Sequence, residues 1–465
     1  MLITGAQLED GPVRDIRVER GVVTAIGILE ATPGEVVVAA HGGLLLPGLH
    51  DHHIHAAALA ASLTSVRCGP PEVADADAFA AALRAAPGGD WLRGTGYHES
   101  VADMLDVTML DAIVADRPVR VQHRSGRMWF LNSAALDILL ADHAPPPGLE
   151  RDGGKFTGRL FDEDAWMKQA LGSRPPALAA VGAILARAGV TGLTDMSPAN
   201  DAVMARHFAA QNATGSLPQK VLLAGRVDLS RTDMTGAVQL GPAKLHLHEA
   251  ELPDFDDAVS FVRTAHTRGR AVAVHCATEV ELVFTLAAFD AAGVHPGDRI
   301  EHASIAPNSA VDEIARLGLA VVSQPHFVAE RGDIYRADVE PELQPLLYRL
   351  SAFRDAGVTL AAGSDAPFGG PDPWASMAAA VSRRTRDGHL IGEVEALTPE
   401  EALDLYMRAP DALERRRRVE VGAPADLCLI DRPWARAREA LAEVRVRAAW
   451  VDGRAIFDGV DKAPV

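Results

Sequence analysis

Four histidines fall within residues 50–55 of a 465-residue chain, in the stretch PGLHDHHIHAAA. Side chains of an extended strand alternate between two faces, so Asp51, His53 and His55 point one way and His52 the other. Two imidazoles one residue apart on a strand can chelate one metal ion. The pattern is weak by itself, because solvated or core histidine pairs produce it too. Three later segments strengthen it. His275 closes AVAVHC, His302 closes RIEHA and Asp365 closes VTLAAGSD. Each is a polar residue at the C-terminal end of an otherwise apolar run. In a barrel of parallel strands those ends meet on one rim, where active sites are built. Four strands each delivering a metal-type ligand to one rim argue for a metal centre.

Lys244, in GPAKLHLHE, belongs with this group. An ammonium ion would repel a metal. A lysine with a depressed pKa can instead add CO₂ and become an anionic carbamate, whose two oxygens bridge two ions. The ligands are then His53, His55, Lys244 and Asp365 for one ion, and Lys244, His275 and His302 for the other. Nitrogen and oxygen donors with neutral imidazoles suit Zn²⁺. A single divalent ion held without a carbamate is the alternative.

Elements must place these residues, and the chain supplies them in a regular order. DDAVSFVRTAHTRG, EVELVFTLAAFDAAG, SAVDEIARLG and PLLYRLSAFRDAG read as helices, each ending at glycine as a C-cap does. The apolar runs that follow them read as buried strands. Alternating helices and strands imply a parallel sheet with crossover helices. At this length a (β/α)₈ barrel leads. A doubly wound open sheet is second, and no G-x-G-x-x-G supports it. Both ends of the chain are strand-like instead. RDIRVERGVVTAIG turns at Arg20-Gly21, and EVRVRAAWVDGRAIFDG turns at Asp452-Gly453. One small β domain built from both termini, 1–48 with 408–465, is expected around a barrel of 49–407. Proline- and glycine-rich segments from about Arg67 to Arg174 mark an insertion after the first barrel strand, expected to cap the barrel mouth.

Composition narrows the partners. The net charge of −18, from 63 acidic and 45 basic residues, repels phosphate backbones and argues against nucleic acid. The basic run Arg415–Arg418 reads as a solvated helix end. Cys68, Cys276 and Cys428 are too few and too scattered for a disulfide framework, which favours a reducing compartment. No signal peptide and no membrane-spanning run are evident, so the cytoplasm is expected. A small-molecule substrate and a homodimer are expected for an enzyme of this kind.

The segments LLLPGLHDHHIH, FLNSAALD, GRLFDEDA, AGVTGLTDM, PAKLHLHE, VAVHC, DRIEHAS, VVSQPHF, LAAGSDAPFGGPDPWASMAAAVSRRTRDG and VGAPADLCLID resemble the amidohydrolase superfamily. Within it they are similar to amidohydrolase family 3, the YtcJ-like group that includes N-substituted formamide deformylase. The resemblance runs over nearly the whole chain. It implies a distorted (β/α)₈ TIM barrel with a β-sandwich made from both termini, and the ligand roles given above. The chain departs from that family at two places. Arg127 stands where a histidine is usual. The segment KLHLHEAELPDFDD replaces an Asp-Gly and a long serine-rich loop after the strand lysine. His246 and His248 then share the face of Lys244, placed to touch a metal or the substrate. Further substrate-binding candidates are His326, which could hydrogen-bond a carbonyl or its oxyanion, and His98 and Arg127 in the insertion.

Such a site generates hydroxide. Two divalent ions lower the pKa of a shared water from about 15.7 toward neutrality. Asp365 then passes the proton from that water to a leaving nitrogen. The expected reaction is hydrolysis of a non-peptide amide-type C–N bond in an N-acyl, N-formyl or cyclic amide substrate. A one-metal deaminase and a non-catalytic barrel are the alternatives.

Overall fold

The computed structural model describes residues 1–9, 11–70, 72–172 and 175–459. Pro71, the Arg174 end of the expected insertion, and residues 460–465 of the expected C-terminal segment lie outside them. The chain divides into two compact units. One comprises Met1–Ala56 and Ala177–Val465, the other Ala57–Pro176.

Eight parallel strands form the centre of the first unit. They are β1 (Leu49–Ile54), β2 (Val190–Asp195), β3 (Lys220–Gly225), β4 (Val238–Leu245), β5 (Val272–Cys276), β6 (Arg299–His302), β7 (Ala320–Ser323) and β8 (Leu360–Ala362). They pair in chain order from β1 to β8. The chain leaving β8 then returns to β1. Asp365 N donates to His53 O at 2.7 Å, and His55 N to Ala366 O at 2.9 Å. This closure rules out the open-sheet alternative. Gly363 permits it, since a Cβ there would sit 2.3 Å from His53 N. The four expected helices are present as Phe255–Thr267, Glu279–Ala292, Asn308–Leu317 and Leu350–Asp355. Each is followed by a glycine with positive φ, Gly269, Gly293, Gly318 and Gly357, which ends a helix without the steric cost of a Cβ.

Both termini build a β-sandwich within the same unit. One four-stranded sheet holds Leu2–Gln7, Val13–Glu19, Val22–Gly27 and Val37–Ala39. The other holds Leu45–Pro47, Leu427–Ile430, Val446–Val451 and Arg454–Asp458. Ile16, Val18, Leu45, Leu427, Leu429 and Trp450 share one core between them. The two expected hairpin turns have positive φ at both central residues, Arg20 with Gly21 and Asp452 with Gly453. Turns of that hand match the twist of the strands they join.

The second unit follows β1 directly, so the insertion after the first barrel strand is present. It carries a six-stranded sheet running from Val66–Arg67 to Lys155–Phe161 and Leu149–Asp152. Phe79, Tyr97 and Phe130 lie at its core.

The run Arg415–Arg418 differs from expectation. It is not a helix end. Arg415 and Arg416 close the strand Ala412–Arg416, which pairs with Arg408–Ala409. Arg416 bridges Asp404 and Glu9, at 2.5 and 2.7 Å. Arg417 donates to the carbonyls of Arg408 and Tyr406. A run of one charge looks solvated in sequence. Here acidic partners and carbonyls elsewhere in the chain absorb Arg416 and Arg417, while Arg415 and Arg418 stay exposed. Cys68, Cys276 and Cys428 are free and buried. Among the described residues no helix is long and apolar enough to cross a membrane.

Candidate metal centre

The alternation of β1 sorts its histidines. His50 and His52 lie on the face away from His53. They are fully buried, with ring centroids 4.6 Å apart, and His50 Nε2 meets Thr194 Oγ1 at 2.9 Å. Burial drives both pKa values well down, so both rings are neutral. Asp51 is on the other face with His53 and His55. Its Oδ1 accepts from Ser364 N at 2.9 Å and His53 N at 3.1 Å, which ties β1 to the segment carrying Asp365.

His53 Nε2 and His55 Nε2 lie 3.3 and 3.2 Å from the same oxygen, Asp365 Oδ1. The ligand atoms of these three residues fall within 4.8 Å of one another. His302 adjoins His53 with ring centroids 4.8 Å apart, and His275 adjoins His302 at 4.5 Å. The ends of β1, β5, β6 and β8 therefore bring five expected ligands together. His302 and Asp365 both have left-handed backbones, with φ of 70° and 50°. For residues with a Cβ this is strained, and such strain concentrates at functional sites.

Groups outside the ligand set orient these rings. His53 Nδ1 meets Glu301 Oε2 at 2.5 Å, and Glu301 Oε1 lies 2.6 Å from Arg299 Nε. His55 Nδ1 meets Ser197 Oγ at 3.1 Å. His302 Nδ1 donates to Gln324 Oε1 at 2.7 Å, since that amide oxygen only accepts. In each ring the Nδ1 contact leaves Nε2 for the site, as in metal-binding histidines. Sequence reasoning missed Glu301 and Arg299. The signal was two charged residues of one parity on a strand otherwise buried, which must pair inside the barrel.

Electrostatics favour a cation here. Burial opposes charge on His53, but Glu301 and Asp365 outweigh it and raise its pKa. Burial also opposes charge on Asp365, yet His53, His55 and His302 hold it well below the ordinary carboxylate range. Burial lowers His302 to about 3, and moves His275 in the same direction with His302 and Lys244 adding to it. Lys244 is 4% exposed, and its Nζ has no hydrogen-bond partner among the described residues. Burial lowers its pKa to about 8, with Glu301 and Asp365 opposing and Arg299 assisting. Asp365 Oδ1 is likewise buried without a hydrogen bond. A buried amine without a partner, and a buried carboxylate oxygen shared between two imidazole Nε2 atoms, are what a metal-ligand set requires. The residues fit divalent ions.

The remaining candidates are spread more widely. His246 stacks on His275 with centroids 4.4 Å apart and planes 29° from parallel. His326 begins the helix His326–Asp338, and both its nitrogens are engaged within the protein. Nε2 donates to Ser364 O at 2.9 Å, and Nδ1 meets Ser376 Oγ at 3.2 Å. His98 and Arg127 belong to the second unit. His98 caps a short helix through Ser100 and stacks on His123. Arg127 forms a two-pronged pair with Asp162, at 2.8 and 2.6 Å.

Comparison with known proteins agrees with this architecture. The model of the amidohydrolase family matches residues 36–457. N-substituted formamide deformylase of Arthrobacter pascens is 27% identical, over 91% of this chain and 90% of its own. The putative amidohydrolase YtcJ of Bacillus subtilis strain 168 is 24% identical over 97% of each chain. The crystal structure of an uncharacterized metal-dependent hydrolase from Pyrococcus horikoshii OT3 superposes with a TM-score of 0.75 at 19% identity, covering 93% of this chain and 97% of its own. The barrel, the rim of candidate ligands and above all this match place the chain in the amidohydrolase family, whose members are metal-dependent hydrolases of C–N bonds.

Proposed function

We propose that the protein hydrolyses a non-peptide amide-type C–N bond, in an N-formyl, N-acyl or cyclic amide substrate, at a two-ion centre. His53, His55 and Asp365 would hold one ion and His275 and His302 the other, with Lys244, as its carbamate, available to both. The donor set suits Zn²⁺. The observation that carries this proposal is Lys244, a buried amine with no partner among the described residues and a pKa of about 8, close enough to Glu301 and Asp365 to feel their charges. About a tenth of such an amine is free base at pH 7, far more than for an ordinary lysine, and that fraction can add CO₂.

When bound, the ions polarise the amide carbonyl and lower the pKa of a water toward neutrality. The rest falls to the chain itself. Asp365 takes the proton from the attacking water and returns it to the leaving nitrogen. Its low pKa keeps it ionised before the reaction and quick to pass the proton on. Glu301 fixes His53 and Gln324 fixes His302, so the ring nitrogens facing the site do not turn away. His246, stacked on His275, would flank a substrate bound there.

A one-ion centre is the second proposal, favoured by one observation. Only His53, His55 and Asp365 form a close ligand cluster among the described residues. Elemental analysis of protein purified in bicarbonate buffer separates the two. About two ions per chain support the bridged centre, and about one supports deaminase-like chemistry. Amine or ammonia release from a panel of N-formyl and N-acyl compounds then tests the reaction. A protein that holds no ion after reconstitution sinks both.

A further inference from the structure

The imidazoles at the rim do not end with the expected ligands. Ring centroids run from His55 to His53 at 5.3 Å, to His302 at 4.8 Å and to His275 at 4.5 Å. They continue to His246 at 4.4 Å and His248 at 4.6 Å. The last pair resembles the ligand pairs in geometry. His246 and His248 cross at 65°, beside 69° for His275 with His302 and 76° for His53 with His55. Two imidazoles bound to one ion through bonds of about 2.0–2.1 Å at a tetrahedral angle have ring centres on the order of 5 Å apart.

Other histidine pairs outside the barrel rim are half-buried and arranged differently. His98 with His123, and His266 with His295, stack near parallel at 29° and 26°. Their nitrogens are held by serines, carboxylates or a carbonyl. Among the described residues neither His246 nor His248 has a hydrogen-bond partner. The segment carrying them is fixed nonetheless. Leu247 between them is buried at 1% exposure, which turns both rings to one exposed face. Glu249 N donates to the buried Glu281 at 2.9 Å, and Glu281 also accepts from Ala277 N and Thr278 N. Ordering cost, the usual objection to a two-residue chelate on a loop, is thereby reduced. The exposed Glu249 carboxylate beside the pair adds negative charge.

We propose that His246 and His248 form an accessory site for one divalent transition ion at the rim of β4. The site takes the nitrogen-preferring class, Zn²⁺, Co²⁺, Ni²⁺ or Cu²⁺, over Mg²⁺ or Ca²⁺. The inference goes beyond the proposed hydrolytic centre and does not depend on it.

Equilibrium dialysis of the full chain against Zn²⁺, with ions counted per chain, tests it. At saturating free zinc the wild type should hold one ion more than the His246→Gln/His248→Gln variant. His248→Gln alone, at an exposed position, should lose the same ion with its circular dichroism unchanged. Equal counts in wild type and both variants overturn the proposal, and so does loss of every ion from the double variant. A His53→Asn/Asp365→Asn chain separates this site from the barrel centre. It should keep the accessory ion while losing barrel ions. If wild type and that chain both hold only the ion that needs His246 and His248, the hydrolytic proposal fails and this one stands.

Discussion

Replacing Lys244 by methionine should make the metal-free protein more stable at pH 7, although it removes the residue proposed to bridge the two ions. The reasoning starts from burial. The folded chain holds Lys244 at 4% exposure with no partner and lowers its pKa from the ordinary 10.5 to about 8. Above pH 10.5 neither the folded nor the unfolded chain carries this proton. Between 10.5 and 8 the unfolded chain takes it up and the folded chain refuses it, so stability falls as pH falls. Below 8 both forms are protonated and the loss stays constant, at about 3 kcal/mol. Methionine fills similar space and does not titrate, so the variant escapes that loss. With an unfolding entropy of about 2.1 cal/mol/K per residue, a 465-residue chain should gain about 3 °C in melting temperature. The assay is calorimetry of chelator-treated protein in bicarbonate-free buffer at pH 7 and pH 10. At pH 10 the advantage should shrink to about 1 kcal/mol, because that pH lies only about half a unit below the unfolded pKa and little of the difference in proton uptake has built up. Adding metal and bicarbonate at pH 7 should reverse the order. A variant that melts at or below the metal-free wild type at pH 7, or keeps an equal advantage at pH 10, refutes an uncompensated buried amine at this position.

Three other perturbations probe the supports of the site. Glu301→Gln should weaken metal binding about 10–100-fold, measured by competition with a chelator, because the charged partner of His53 is lost. Unchanged affinity would show that Glu301 does not orient that ligand. Gly363→Ala should cost about 3 kcal/mol and lower metal content together, since its Cβ would meet backbone and side-chain atoms of His53. A variant with wild-type melting would show that the barrel does not close there. His50 and His52 have lowered pKa values, so the unfolded chain binds protons that the folded chain does not as pH falls below 6.5. Each costs about 1.4 kcal/mol per pH unit there, and His52→Leu should melt less steeply with acidification. Parallel melting curves of wild type and variant from pH 6.5 to 4.5 would contradict it.

The parts of this molecule legible in the sequence are those whose causes are local. Alternation along β1 separates His52 from His53 and His55 without knowledge of any other strand, and the folded chain keeps that separation. Gly269, Gly293, Gly318 and Gly357 end four helices because positive φ is a property of one residue and its neighbours. The barrel rim was legible because each polar residue closes its own apolar run. What escaped was set by partners far along the chain. Arg416, in a run that otherwise stays exposed at Arg415 and Arg418, is taken up by Glu9 and Asp404. Glu301 escaped for a further reason. By strict alternation Glu301 and its neighbour His302 should face opposite sides of β6, so only one of them should serve the site. His302 adopts φ of 70°, which breaks the alternation at the end of the strand. Glu301 can then reach His53 from within the barrel while His302 packs beside the same ring. The strained residue that makes the site possible is also the one that hides half of it from a period-two reading.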